Sequence, residues 1–352
     1  KNKWIVDKLE KIEDIEFIAD AELEFAGEKI SCNITIMPLT GGENESLGIL
    51  LMIEDISTEK RMKSTMSRYM DADLADQLLA GGDGDDVMGG KESIGTVLFS
   101  DIRSFSTLTE SLGAQGTVGF LNDYFTIMVD CIQAEGGMLD KFIGDAIMAI
   151  FGTPVAHDDD PDRGLRTAIQ MMLGLNEFNV LRKSQGLPPV DHGMGLNTDQ
   201  IVSGNIGSPK RMDYTVIGDG VNLAARVESS CKKYGAHILM SEYTFHALKA
   251  TYRTRQIDMV IVKGKTVPVG VYEVLDYHTK ETFPNMIEVL EMFNNGIEYY
   301  NEGNWDKAIT QFKKAQKGNP DDKCSNMYVE RCGILKKRDP KDWDGVWVAT
   351  SK

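Results

Sequence analysis

Cysteine and histidine are scarce in this 352-residue chain, with five of each. Cys32, Cys131, Cys231, Cys324 and Cys332 are scattered, odd in number and never spaced as C-x-x-C. That excludes a disulfide framework and leaves buried thiols in a reduced, cytoplasmic compartment as the expectation. The histidines show no H-E-x-x-H or other zinc spacing, so a transition-metal site is not expected. No apolar run approaches the roughly 18 residues of a membrane span, and no signal peptide opens the chain. Basic residues are outnumbered, 38 Lys and Arg against 54 Asp and Glu, for a net charge of −16. A nucleic-acid binder usually presents a basic face, so that class is disfavoured. A small phosphate-bearing substrate is not, because a few local cations can dominate one pocket. The 42% of hydrophobic residues can build real cores, and the length suggests two or three units. The chain begins at Lys1 rather than Met, as a piece of a longer protein would, and further segments upstream are expected.

Residues 1–56 read as a helix from Trp4 to Ile12 followed by strand-like runs at Ala21–Phe25, Lys29–Met37 and Leu47–Ile53, with a Gly41-Gly42-Glu43-Asn44-Glu45 turn. Residues 57–91 form a linker. Met62, Met66, Met70, Leu74 and Leu78 recur every four residues, one apolar helical stripe suited to pairing two chains, before a glycine-rich loop. Residues 92–278 alternate strands and helices, and residues 279–352 are helical. Gly296, Tyr299, Gly303, Trp305, Ala308, Phe312, Ala315 and Pro320 fall at the spacings of one tetratricopeptide-like repeat. A single copy cannot bury its own faces and is expected to pack on a neighbour. The two tryptophans of Asp342-Trp343-Asp344-Gly345-Val346-Trp347 are expected to pack back as well.

The central segment carries the chemistry. Its order, a strand at Ile94–Ser100, a helix at Ala114–Ala134, a hairpin over Met138–Phe151, a helix at Asp160–Lys183 and a strand at Asp191–Asn197, begins β-α-β-β-α-β. That is an α+β fold with a ferredoxin-like βαββαβ core, preceded by a small antiparallel β segment and followed by a helical tail. In that topology the first strand lies beside the third, so Asp101 at the end of one meets Asp145 in the Gly144-Asp145 turn before the other. Two carboxylates at adjoining strand tips suit a hard cation such as magnesium held against phosphates. Asn222 and Arg226, four apart on a predicted helix, share a face.

Several separated motifs resemble one family, the class III nucleotidyl cyclases: Phe99-Ser100-Asp101-Ile102-Arg103-Ser104-Phe105-Ser106, Lys141-Phe142-Ile143-Gly144-Asp145, Asp213-Tyr214-Thr215-Val216-Ile217-Gly218-Asp219, Val221-Asn222-Leu223-Ala224-Ala225-Arg226 and Val262-Lys263-Gly264-Lys265. The resemblance implies a cyclase making cyclic AMP from ATP, with two Mg2+ (or Mn2+) per active site. The metals would be held by Asp101, Asp145 and the backbone carbonyl of Ile102. It further implies that Asn222 orients the ribose, Arg226 stabilises charge on the α-phosphate, and Lys263 (or its neighbour Lys265) holds the terminal phosphates. Lys141 and Thr215 would read the base, and this pair is the one the family's adenylyl members carry. A homodimer with shared active sites is implied too. The first 56 residues resemble the C-terminal half of a PAS sensor domain through Ile36-Met37-Pro38-Leu39 and Gly48-Ile49-Leu50-Leu51-Met52-Ile53-Glu54-Asp55-Ile56, so regulation by an N-terminal sensor is implied. A guanylyl cyclase and a non-catalytic dimeric scaffold are the alternatives.

Overall fold

The computed structural model describes residues 2–25, 27–41, 46–58, 60, 90–208, 211–261 and 268–347. The chain divides into two compact units, Lys1–Gly84 and Asp85–Lys352. The apolar stripe from Met62 to Leu78 lies outside the described residues.

In the first unit a short helix α1 (Lys3–Leu9) precedes a meander of β1 (Glu16–Phe25), β2 (Glu28–Thr40) and β3 (Ser46–Asp55). Strand β2 alternates strictly, burying Cys32, Ile34 and Ile36 on one face, which is the period-2 signature of a half-covered sheet. Ile5 of α1 with Ala21 and Leu23 of β1 completes that small core. The Asn2 side chain anchors the helix by bonding both ways with the backbone of Glu24: its Nδ2 donates to the carbonyl at 2.9 Å and its Oδ1 accepts the N–H at 3.2 Å.

The second unit is built on an eight-stranded sheet. Its core runs β4 (Lys91–Ile102), α2 (Phe105–Ala134), β5 (Met138–Ile143), β6 (Ala146–Phe151), α3 (Asp160–Ser184) and β7 (His192–Ser208). Then follow β8 (Arg211–Ile217), α4 (Asp219–Tyr234), β9 (Ile238–Ser241), α5 (Glu242–Ala247), β10 (Thr254–Ile261) and β11 (Pro268–Val274). The strand order is β10-β11-β9-β7-β4-β6-β5, with β8 hydrogen-bonded to β7 off that path. The first core strand lies between the fourth and the third, as the β-α-β-β-α-β order requires. Helix α2 begins nine residues earlier than its periodicity suggests. Gly113 (φ 67°, ψ 175°) kinks it, so its first turns run in a different direction from the Ala114–Ala134 segment.

Alternation along β4 and β6 divides the sheet into two buried faces. Leu98, Ile102, Ile147, Ala149 and Phe151 pack under α2 and α3. Val97, Met148 and Ile150 face the other way, with Ile201, Val216 and Ala224 of α4. Helix α4 sits unusually close to β7. A Cβ at Gly195 would stand 2.1 Å from the Glu228 backbone nitrogen and 2.6 Å from the Ala224 carbonyl oxygen, so only glycine admits the helix.

The tail, α6 (Met286–Asn301), α7 (Trp305–Gly318) and α8 (Lys323–Arg338), packs against α4, β9, β10 and β11 in one continuous core. Gly296 lies against Phe312, where a Cβ would meet the ring at 2.6 Å. Trp343 meets Tyr300 and Trp305 edge-on and donates from its Nε1 to the Tyr300 carbonyl at 2.9 Å. A buried ionic clasp joins tail to sheet. Arg255 in β10 donates to Glu273 of β11 at 2.6 Å and, through both terminal nitrogens, to Asp322 ahead of α8 at 2.7 and 3.0 Å. A second pair, Arg331 with Asp258 at 2.7 Å, lies beside the Tyr234 hydroxyl.

His192, fully buried, shares hydrogen bonds with the Tyr124 hydroxyl (2.8 Å) and the Met172 sulfur (3.0 Å). Burial pushes its pKa down to about 3. Because the folded pKa lies below the unfolded value near 6.5, this group's contribution is present above 6.5 and is lost as pH falls. From pH 7 to 5 that linkage amounts to about 2 kcal/mol, so His192→Gln, though less stable at pH 7, should lose correspondingly less over that range in urea titrations. Gly195→Ala should lower stability by at least about 2 kcal/mol. Gly119→Ala, in α2 with open space around its Cβ, should raise it by about 0.5–1 kcal/mol. Urea midpoints of the two glycine variants check both signs.

Candidate active site

Asp101 is the penultimate residue of β4, in the same phase as Val97 and Phe99, so its side chain belongs to the α4 side of the sheet. Strand β6 pairs with β4 up to Ser100 and Ile147, and the β5–β6 turn consists of Gly144 and Asp145 alone, closed by the Ile143 and Ala146 pair. Gly144 takes a positive φ of 67°, which brings the chain round in two residues. The turn thus delivers Asp145 against Asp101. Burial, then the charge of Asp145 and a hydrogen bond shared with it, push the Asp101 pKa up to about 6, while the Ile102 backbone pulls it back. Two half-buried carboxylates held in contact repel each other until a cation or proton lies between them. Their all-oxygen donor set fits a hard divalent ion whose remaining ligands come from water and phosphate. Among the described residues no cluster of three or more His, Cys, Asp or Glu forms a closed metal cage.

The backbone beyond Ile102 is locked by residues that motif spacing left without a role. Arg103 donates from its backbone to the Asp191 carbonyl at 2.8 Å, from Nη1 to the Asp191 carboxylate at 3.0 Å, and from Nη2 to the Ala236 carbonyl. His237 holds the other Asp191 oxygen through Nε2 at 3.0 Å and meets the Tyr277 hydroxyl through Nδ1 at 2.9 Å. Burial works against the Asp191 charge, but the His237 hydrogen bond and the neighbouring Arg103 outweigh it and hold its pKa below the usual carboxylate range. The only sequence signal for this bracket is the arginine immediately after Asp101-Ile102.

Glu228 likewise belongs to none of the sequence motifs' assigned roles. Gly193 pairs with Asp101 across β4 and β7, and the space its absent side chain leaves is where Glu228 lies, with Oε1 3.1 Å from a Cβ built there. Burial, followed by the charge of Asp101, pushes the Glu228 pKa up to about 7. The Gly-Met-Gly spacing of β7 was the available clue.

Lys141 and Thr215 lie on different strands. Lys141, half-exposed in β5, has its Nζ 3.3 Å from the Asp140 carboxylate, whose own side chain is fully buried. Thr215 is buried in β8 opposite Gly204 of β7. Asn222 and Arg226 both lie on the exposed face of α4, one turn apart, while Leu223, Ala224 and Val227 bury the opposite face. Asn222 Nδ2 reaches the Gly218 carbonyl at 3.5 Å. Lys263 and Lys265 lie outside the described residues. A cavity of about 810 Å³ beside Arg253, His278, Phe283 and Met286 contains none of these groups.

The family model described as "Adenylate and Guanylate cyclase catalytic domain" matches residues 89–279. The chain is similar to "Adenylate cyclase" of Anabaena cylindrica, 40% identical over 186 residues, which cover 51% of this chain and 36% of that protein. It is also similar to "Adenylate cyclase, terminal-differentiation specific" of Dictyostelium discoideum, 34% identical over 243 residues, covering 67% of this chain and 11% of that one. Among solved structures, the adenylyl cyclase CyaB from P. aeruginosa is 34% identical with a TM-score of 0.50, covering 54% of this chain and 98% of its own. The chain therefore spans about a third of the Anabaena relative and a tenth of the Dictyostelium one.

The carboxylate contact makes a prediction of its own. Asp101→Asn removes the repulsion, so the metal-free variant should melt at or above the wild-type temperature. Mg2+ or Mn2+ should raise the wild-type melting temperature and leave the variant unmoved. Thermal scans with and without EDTA measure both.

Proposed function

Because the chain belongs to the adenylate and guanylate cyclase catalytic domain family, we propose that it converts ATP to 3′,5′-cyclic AMP and pyrophosphate. The observation that carries this reading is the contact between Asp101 and Asp145 at adjoining strand tips. Together with the backbone carbonyl of Ile102 these residues would hold two Mg2+ or Mn2+ ions per site. When bound, such ions lower the pKa of the ribose 3′-hydroxyl and neutralise the triphosphate. The 3′-oxygen forms a bond to the α-phosphorus as the bond to pyrophosphate breaks, a reaction governed by positioning and charge. Arg226 meets the charge that builds on the α-phosphate, for which its permanently charged planar fork is suited. Asn222 orients the ribose, and Lys263 takes the terminal phosphates. Lys141 donates to the adenine ring nitrogen, and Thr215 accepts from the exocyclic amine.

The outward face that presents Asn222 and Arg226 supports a homodimer with shared sites. Asp101 and Asp145 of one chain would act with Lys141, Thr215, Asn222, Arg226 and Lys263 of the other. A two-fold axis then gives two equivalent sites. The N-terminal meander, read as a PAS-like sensor, would regulate them through the linker, since a displacement of about 1 Å can cost roughly 100-fold in rate. The five cysteines are free thiols, which supports a reducing compartment such as the cytoplasm. Among the described residues no helix is long and apolar enough to cross a membrane.

Purified protein given ATP and Mg2+ or Mn2+ should release cyclic AMP, and preferential use of GTP, or no product with either nucleotide, would overturn the reading. Asp101→Ala and Arg226→Ala should each lose at least about 100-fold in kcat. Mixing them in equal amounts should restore about a quarter of wild-type activity, because half the dimers are mixed and each of those has one intact site. Two folded variants that fail to complement would refute shared sites.

A further inference from the structure

One group beside the base-reading pair is left unexplained. The register between β5 and β6 slips at Asp140: Leu139 pairs with Ala149 and Lys141 with Met148, so Asp140 is the extra residue of a β-bulge. In a regular strand Asp140 and Lys141 would point to opposite faces, whereas a bulge re-aims one of them. Here the two side chains meet, with Lys141 Nζ 3.3 Å from Asp140 Oδ2. The Asp140 side chain has no solvent exposure, and neither carboxylate oxygen has a hydrogen-bond partner of good geometry. Burial raises its pKa. The Thr215 hydroxyl, then Lys141, draw it back towards the charged form. Burying a carboxylate with its oxygens unsatisfied is strongly unfavourable. Such a group persists where function holds it.

We infer that Asp140 sets the donor–acceptor polarity of the purine pocket: it takes the hydrogen of the Thr215 hydroxyl, so that the Thr215 oxygen faces the base as an acceptor, and it holds the Lys141 ammonium beside it as the donor. This rests on the reading of Lys141 and Thr215 as the base-contacting pair. A free hydroxyl is ambivalent and serves a carbonyl as readily as an amine. A carboxylate, which only accepts, removes the ambivalence. A purine with a 6-amino group and an unprotonated ring nitrogen then finds an acceptor and a donor. A 6-oxopurine meets lone pairs opposite its carbonyl and an ammonium opposite its N–H, a repulsive arrangement that provides specificity.

The test compares kcat/KM for ATP and for inosine triphosphate, which differ only at that edge of the base. The wild type should prefer ATP. Asp140→Asn, whose amide can donate to Thr215, should lower the ATP:ITP ratio at least about tenfold. In a Thr215→Val background the same change should alter the ratio by less than about twofold, because its route to the base has gone. Asp140→Asn that slows both nucleotides equally, with circular dichroism unchanged, overturns the inference. Where Asp140→Asn does not fold, the comparison moves to Thr215→Ser and Thr215→Val. The serine variant should keep the preference and the valine variant lose it, and a valine variant that keeps it overturns the inference. A wild type indifferent between ATP and ITP refutes the base-reading assignment itself, a result distinct from the others.

Discussion

Two carboxylates forced together by backbone geometry are the constraint around which the second unit is arranged. Asp101 and Asp145 belong to a strand end and a two-residue turn that come together only because β6 pairs with β4 in one register. A slip of one residue would send Asp101 to the opposite face of the sheet. The register is protected by burial on both sides: Leu98 and Ile102 are committed to the α2 and α3 core, and Val97 to the α4 side. The Arg103, Asp191, His237 and Tyr277 bracket then fixes the backbone just beyond Asp101 and Ile102. The repulsion between the carboxylates is thus carried by a large apolar core.

The same logic extends to α4. Its outer face presents Asn222 and Arg226, and its inner face is set on β7 by the absence of side chains at Gly193 and Gly195. Helix position is set by steric exclusion at two glycines, and the outward groups inherit that precision. The exposed residues are those proposed to act on the nucleotide, while the buried ones determine where those residues stand.

Much of this was legible in the chain. The Gly144-Asp145 turn between two apolar runs announces a hairpin, and the β-α-β-β-α-β order places Asp101 beside it. Other parts were hidden for identifiable reasons. Gly113 breaks the periodicity of α2, so the turns from Phe105 to Leu112 do not continue the pattern of Ala114–Ala134. The bulge at Asp140 has no local signature, since Leu139-Asp140-Lys141 reads as well in a regular strand. Strand β7 runs on to Ser208 through Gly204 and Gly207, residues that argue locally for a loop and are held in the ladder by pairing with β8. Glu228 and the Arg103 bracket depend on partners far apart in sequence, which their local signals, Gly193-Met194-Gly195 and the arginine after Ile102, do not name. Lys263 lies outside the described residues.

The ionic clasp at Arg255 bears on how far the folded body extends past the family match. The family match stops at 279, yet two of the three charge contacts of that guanidinium are made to Asp322, and Phe283 and Phe293 lie over it. A fragment trimmed at the family limit would strand a cation against Glu273 alone and uncover the apolar flank of β10 and β11. Shared ancestry and structural self-sufficiency therefore have different borders in this chain. The three closing helices are part of the same body as α4 and the β9–β11 flank of the sheet.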